Sequence, residues 1–205
     1  MNTSIQDAAN LGWKLAAIVG GWAPDGLLDT YHAERHPVGR QVLRTSGALL
    51  RIGLTGPPAL VAARRLLATA ATRTPLSARL AAGMLSGLSI SYPAPRGAHP
   101  LTGKRVADLP LADGRRLYEA LRDGRFLLAA TSGALSADAA AGYAGRVDTV
   151  EVARPSSTVA LIRPDAYIAW ADGQATAGDR TPEIRAALAR WCGTPGHMLA
   201  QAPRR

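Results

Sequence analysis

Cysteine is almost missing from this sequence: Cys192 stands alone among 205 residues, so no internal disulfide framework can form, and a reducing, cytoplasmic setting is expected. Long apolar runs are missing too. The longest stretch without a charge, Leu80–Pro95, contains three Ser and two Pro, and falls short of the roughly 18–20 apolar residues a membrane span requires. The opening residues MNTSIQDAAN carry an acid and no basic segment leading into an apolar one, so no secretory signal is expected. Lysine is scarce, since only Lys14 and Lys104 occur among 24 basic residues. With so many Ala, Gly and Pro, the arginine excess reads as codon composition. Acidic residues vanish between Glu34 and Asp108, where Arg35, Arg40, Arg44, Arg51, Arg64, Arg65, Arg73, Arg79, Arg96, Lys104 and Arg105 all fall. A net charge of +9 raises nucleic acid as a partner. Aromatic residues are absent from Leu43 to Ser91, however, and bases need rings to stack on, so a solvated helical face is the simpler expectation and neither nucleic acid nor membrane is assigned.

What is present falls into two zones. Up to about Ser91 the pattern is helical. Thr3-x-x-Gln6 has the form of a capping box, and Ile5, Ala8, Ala9, Gly12, Leu15, Ala16 and Val19 follow at helical spacing, with Asp7, Asn10 and Lys14 as the opposite stripe. Gly20-Gly21 supplies the stop and Pro24-Asp25-Gly26 a turn. A helix over Leu27–Glu34 is expected to end or kink at Pro37, with further helices over Val38–Arg51, Pro58–Ala71 and Leu76–Leu88. Tyr92–Gly97, rich in proline, marks a boundary, which gives a helical unit over 1–95 and a second unit over 96–205. The second zone reads as a short extended Asp108–Leu111, a helix over Arg115–Leu121, strands at Phe126–Ala130, Val147–Val152, Thr158–Ile162 and Ala166–Trp170, and a helix over Pro182–Trp191. The last two strands form a hairpin around Arg163-Pro164-Asp165. The fold class is therefore α/β, in the order of a thioredoxin-like sandwich after an N-terminal helical segment.

Three blocks of sequence carry a resemblance. They are Met1-Asn2-Thr3-Ser4-Ile5-Gln6-Asp7-Ala8-Ala9-Asn10-Leu11-Gly12-Trp13-Lys14-Leu15-Ala16; Tyr31-His32-Ala33-Glu34-Arg35-His36-Pro37-Val38; and, further on, His99–Leu111, Asp123–Leu128 and Ile162–Trp170 together. In order and spacing they resemble the FAD-dependent aromatic hydroxylases of the para-hydroxybenzoate hydroxylase type, particularly those acting on polyketides, with their thioredoxin-like C-terminal domain. Ala166 stands where that family commonly has glycine. The resemblance implies that the first segment opens the helix whose N-terminus faces the flavin, with the backbones of Met1 and Asn2 at the pyrimidine edge. Free amide N–H groups and the positive helix end there would stabilise charge on the reduced ring. The intact enzyme would reduce FAD with NADH or NADPH and use oxygen to hydroxylate an electron-rich aromatic or polyketide substrate.

Much of that machinery has no counterpart. No G-x-G-x-x-G follows a strand, and the glycine-aspartate pair that would precede Met1 is absent, so the chain is expected to start inside a longer protein and not to hold FAD tightly alone. Asp113-Gly114 lies after the flavin-edge helix, as a turn. Trp191-Cys192-Gly193-Thr194-Pro195 lacks the second cysteine of a redox pair and closes a helix where it should open one. His32 and His36 share a helix face without a third ligand, so no metal is assigned. No G-x-S-x-G elbow or triad context appears, and no residue is assigned as catalytic acid, base or nucleophile. An alternative is a standalone, non-catalytic α/β module partnering a separate FAD-domain polypeptide; another is a binder of anionic surfaces through the acid-free arginine stretch. Oligomer formation stays open. Exposed apolar surface on the first helices is expected if this is part of a larger enzyme.

Overall fold

The computed structural model describes residues 2–54, 57–71, 83, 89–135, 138–173 and 180–196. Helix α1 runs Asn2–Val19, α2 Asp29–Leu54 and α3 Pro58–Ala71. The helix expected over Leu76–Leu88 lies outside the described residues apart from Gly83. A single turn of helix, α4 (Leu117–Ala120), passes into a 3-10 turn at Leu121–Asp123 and leads to the sheet. The strands are β1 Phe126–Ala130, β2 Val147–Glu151, β3 Val159–Ile162 and β4 Ile168–Asp172, and α5 spans Thr181–Cys192.

The sheet order is β2-β1-β3-β4, with β1 parallel to β2 and antiparallel to β3, and β3 antiparallel to β4. This is the arrangement of a thioredoxin-like sheet. Asp108–Leu111 does not join it as a strand; Pro110 and Leu111 make only isolated bridges to Arg116 and Val152. Every residue of central strand β1 is buried, because both faces are covered. Phe126 and Leu128 point to one side with Val159, Leu161, Ile184 and Leu188. Leu127 and Ala129 point to the other with Val106, Leu117 and Ile162. Helix α1 enters the first of these layers through Trp13, whose ring meets Phe126 edge-on at 5.3 Å, and through Ala17. The helical segment and the sheet therefore share one apolar layer.

Three expectations are revised. Helix α2 continues through Pro37, so the two helices anticipated around that residue are one. Proline removes a single i to i−4 bond, here the one to Ala33, and both residues sit on the exposed side, while buried Glu34, Arg35 and Val38 hold the opposite side in place. Helix α1 already includes Thr3, which is thus a helical residue and not the cap. Most consequentially, α1 is oriented opposite to its pattern. The polar stripe faces inward, with Asn10 and Lys14 at 0% exposure, while Ile5 (61%), Leu15 (44%), Ile18 (43%) and Val19 (86%) face out. This is the exposed apolar surface expected on the first helices.

The β3–β4 turn carries an unusual backbone. Ala166 has φ 65°, the only non-glycine residue with positive φ among those described. The turn is closed by Arg163 N–H to the Tyr167 carbonyl (2.8 Å) and Ala166 N–H to the Arg163 carbonyl (2.9 Å). A left-handed L-residue costs roughly 1–2 kcal/mol, partly offset in glycine by greater unfolded-state freedom. Gly103 shows the opposite case. Its φ is 79° and an added Cβ would lie 2.3 Å from the Tyr92 carbonyl oxygen. Ala166→Gly is expected to raise unfolding free energy by about 1 kcal/mol, and Gly103→Ala to lower it by about 2 kcal/mol or more. Urea unfolding checks both; an unchanged midpoint for Ala166→Gly would show that this turn is not strained.

Candidate functional site

Where α1, α2 and the β3–β4 turn meet, the interior is charged. Arg163, at the end of β3 and 2% exposed, is the centre. Its Nη1 donates to Glu34 Oε1 at 2.6 Å and its Nη2 to Glu34 Oε2 at 3.0 Å, a two-pronged pair. Its Nε donates to Asp165 Oδ1 at 2.9 Å, and Nη2 also reaches Asp165 Oδ2. The same guanidinium lies 5.2 Å from the ring centres of Trp13, Tyr92 and Trp191 and 5.8 Å from that of Tyr167. Lys14 Nζ donates to Glu34 Oε2 (3.0 Å) and Asn10 Oδ1 (2.8 Å). The Asn10 amide in turn donates to Glu34 Oε2 (2.7 Å) and Asp165 Oδ2 (3.2 Å). Two carboxylates thus meet two cations, each with hydrogen-bonded partners, and the desolvation of each charge is compensated locally.

A second group lies one residue along α2. Arg35, 4% exposed, donates from Nε to Asp7 Oδ1 (2.6 Å), from Nη1 to the Tyr92 hydroxyl (3.2 Å) and from Nη2 to the Thr3 carbonyl (3.3 Å). Tyr92 stacks on Tyr167 with centres 4.1 Å apart, and its hydroxyl also accepts from Asn10 at 3.3 Å, joining the two groups. The acid-free arginine stretch therefore does not begin on a solvated face: Arg35 is interior.

The titration behaviour follows from this packing. Burial pushes the Lys14 ammonium down to about 8, although Glu34 opposes the shift. Burial would raise the Glu34 carboxyl, but hydrogen bonds and charge from Arg163, with help from Asn10 and Lys14, hold it below the ordinary range. Burial likewise raises the Tyr92 and Tyr167 phenols. Lys14, Glu34 and Tyr92 each spend their polar atoms on partners from another element, so the cluster ties α1, α2 and the β3–β4 turn together. Beside it opens a cleft of about 550 Å³, bordered by α2, β4 and α5, with Tyr92, Arg163, Trp170 and Trp191 in its walls.

The other residues singled out from sequence fall elsewhere. Asn2 opens α1, and Met1 lies outside the described residues. The first turn of α1 carries no acid, and its leading N–H groups have no acceptor within the helix; Arg35, ion-paired with Asp7, holds the Thr3 carbonyl close by. That donor set suits an electron-rich, charge-accumulating edge such as a flavin pyrimidine. Asp113 closes a turn through the Arg115 N–H at 3.0 Å. His32 and His36 stack on each other at 4.8 Å. Cys192 ends α5, fully buried, its thiol pushed up by desolvation. No cluster of three metal-ligating side chains occurs among the described residues. Sequence inspection passed over Glu34, Arg35, Tyr92, Arg163 and Asp165 as site residues. The available signal was charge embedded in apolar strands: Arg163 and Asp165 fall between Val-Ala-Leu-Ile and Tyr-Ile-Ala.

Residues 99–195 match the family described as aromatic-ring hydroxylase, C-terminal, and residues 1–46 match the FAD binding domain family. Over these two segments the chain is similar to flavin-dependent aromatic-ring hydroxylases. It is 42% identical to rifampicin monooxygenase of Streptomyces venezuelae over 195 residues, covering 94% of this chain and 38% of that protein. Anhydrotetracycline monooxygenase of Streptomyces rimosus is 40% identical over 209 residues, covering 95% and 40% respectively. The solved structure of OxyS anhydrotetracycline hydroxylase from Streptomyces rimosus superposes with a TM-score of 0.79 at 39% identity, over 94% of this chain and 41% of that one. The chain thus spans about two fifths of the length of the curated relatives it matches. No described helix is long and apolar enough to cross a membrane.

Removing one partner from a buried ion pair typically costs about 3–5 kcal/mol, so Arg163→Met, which strands Glu34 and Asp165, is expected in that range. Lys14→Met leaves Glu34 paired with Arg163 and should cost about 1 kcal/mol. The pH dependence has a defined sign. The depressed Glu34 value gives stability that is complete above its ordinary 4.5 and lost as pH falls through the folded-state value. The lowered Lys14 value means that the folded state releases its proton first, so stability rises between about 8 and 10.5. Thermal melts of wild type and Lys14→Met across pH 2–10.5 check both; a rise above pH 8 of equal size in both proteins would assign it to other groups, and a melting point unchanged below pH 4 would remove the Glu34 contribution.

Proposed function

We propose that this chain is the flavin-edge and C-terminal part of an FAD-dependent monooxygenase that hydroxylates an aromatic or polyketide small molecule with NADH or NADPH and oxygen. Residues 1–95 would close the flavin and substrate domain, and residues 96–205 would form its thioredoxin-like domain, in a cytoplasmic protein. The observation that carries this reading is the first turn of α1: free of acids, pinned by Arg35, and contained in the segment that matches the FAD binding domain family. The backbone amides of Met1 and Asn2 would face the pyrimidine edge. There the positive helix end favours negative charge.

When bound, FAD supplies the redox and oxygen chemistry. The chain's own residues orient α1, keep water from the charged cluster and present the helix N-terminus. The relatives named as monooxygenases of rifampicin and anhydrotetracycline support an aromatic or polyketide substrate class. The outward apolar face formed by Ile5, Leu15, Ile18 and Val19 supports a covering flavin-binding part, whether carried on the same polypeptide or on a separate chain partnering this one as a non-catalytic module.

FAD titration of the chain, followed by flavin fluorescence, is expected to show no binding at micromolar concentration. Grafting the chain in place of the matching segment of the Streptomyces venezuelae rifampicin monooxygenase should give a protein that retains FAD. Micromolar binding by the chain alone would make it an independent flavoprotein, and a folded graft without flavin would remove the flavin-edge assignment.

A further inference from the structure

We propose that Arg35 is a positioning residue for the flavin, setting the first turn of α1 from within α2 and tying that turn to the sheet domain through Tyr92 and Arg163. This rests on the flavin reading above and goes beyond it, because Arg35 sits behind the helix.

The geometry is a clamp at two heights. Consecutive residues Glu34 and Arg35 both point from α2 toward α1. Glu34 engages Asn10 and Lys14 in the middle of the helix. Arg35 engages Thr3 and Asp7 at its start. Three separate nitrogen atoms of one planar group, Nε, Nη1 and Nη2, contact three acceptors, so the guanidinium fixes orientation as well as distance. The acceptor at Thr3 is a backbone carbonyl of the first turn. Holding it fixes the plane in which the neighbouring free N–H groups point. Behind Arg35 the Tyr92 hydroxyl accepts from both Arg35 and Asn10, and the Tyr92 ring packs on Arg163 and Tyr167. A path of direct contacts therefore runs from the β3–β4 turn to the end of α1 that faces the flavin. In the cluster around Arg163 every charge answers another deep inside. Arg35 differs, because two of its three polar contacts, Thr3 and Asp7, lie in the first two turns of α1, where fraying would otherwise be greatest.

Two measurements separate positioning from mere folding. In the 205-residue chain, Arg35→Met should speed hydrogen exchange tenfold or more at the amides of Asp7 to Leu11, which bond to the carbonyls of the first turns, and leave those of Ala16 to Val19 unchanged. In the flavin-bearing graft, Arg35→Met should weaken FAD at least tenfold and shift the flavin midpoint potential, Arg35→Lys should recover part of both, and Arg40→Met, on the exposed side of the same helix, should change neither. Exchange and FAD affinity within twofold of wild type in a folded Arg35→Met protein would overturn the proposal. So would slower folding or a lower melting point with FAD affinity unchanged, since that is what a purely structural arginine gives. An unsubstituted graft that folds but holds no FAD would overturn the flavin reading itself, whereas FAD held equally by graft and variant overturns this proposal alone.

Discussion

A guanidinium buried to 2% exposure governs how the rest of the molecule is arranged. Moving an ion from water into the protein interior carries a penalty of several kcal/mol even after relaxation, so Arg163 demands two carboxylates and ring faces around it. One carboxylate comes from its own turn, at Asp165, and the other from Glu34, 129 residues earlier in the chain. That second requirement brings α2 against the sheet. Glu34 then needs donors for its remaining lone pairs, and Asn10 and Lys14 supply them, which turns α1 polar side inward. Electrostatic need, and not apolar burial alone, sets the docking of both long helices.

The same logic explains which parts of the fold were legible in the sequence. Strand β1 was read with its final boundaries because five apolar residues between Gly124-Arg125 and Thr131 leave no other interpretation, and α3 likewise between prolines and a run of small residues. The β3–β4 hairpin followed from turn chemistry around Pro164. The face of α1 did not follow. Amphipathic reasoning assumes that charge seeks water, and here Lys14 finds Glu34 instead, a partner 20 residues away that no local period can reveal. Pro37 misled in the same manner: a proline breaks a helix only when nothing else holds the two sides together, and Glu34, Arg35 and Val38 do so. The first segment was visible as a family-like pattern, but the residues that hold it in place were not, because their contacts exist only after α1, α2 and the turn have met.

The chain's partial coverage of its relatives and the surface of α1 fit one picture. The sheet domain is closed on both faces, whereas α1 shows apolar side chains outward along its length. Under the function proposed above, such a helix would lie between two bodies. One of them is present here, held by charge together with Trp13 and Ala17; the other would be held by apolar contact. The two interfaces would therefore respond differently to acid, since protonating Glu34 weakens the first and leaves the second largely untouched.

Cys192 gives the molecule an internal reporter. It lies fully buried at the end of α5, in the apolar layer that also contains Trp13 and Ala17 of α1, and its carbonyl accepts from Arg146 at 2.8 Å. As the only thiol in the chain, it is shielded from alkylating reagents for as long as α5 stays seated on the sheet. Its labelling rate therefore clocks the opening of the layer that joins helix and sheet, residue by residue silent everywhere else, and reads out the integrity of that junction without any added probe.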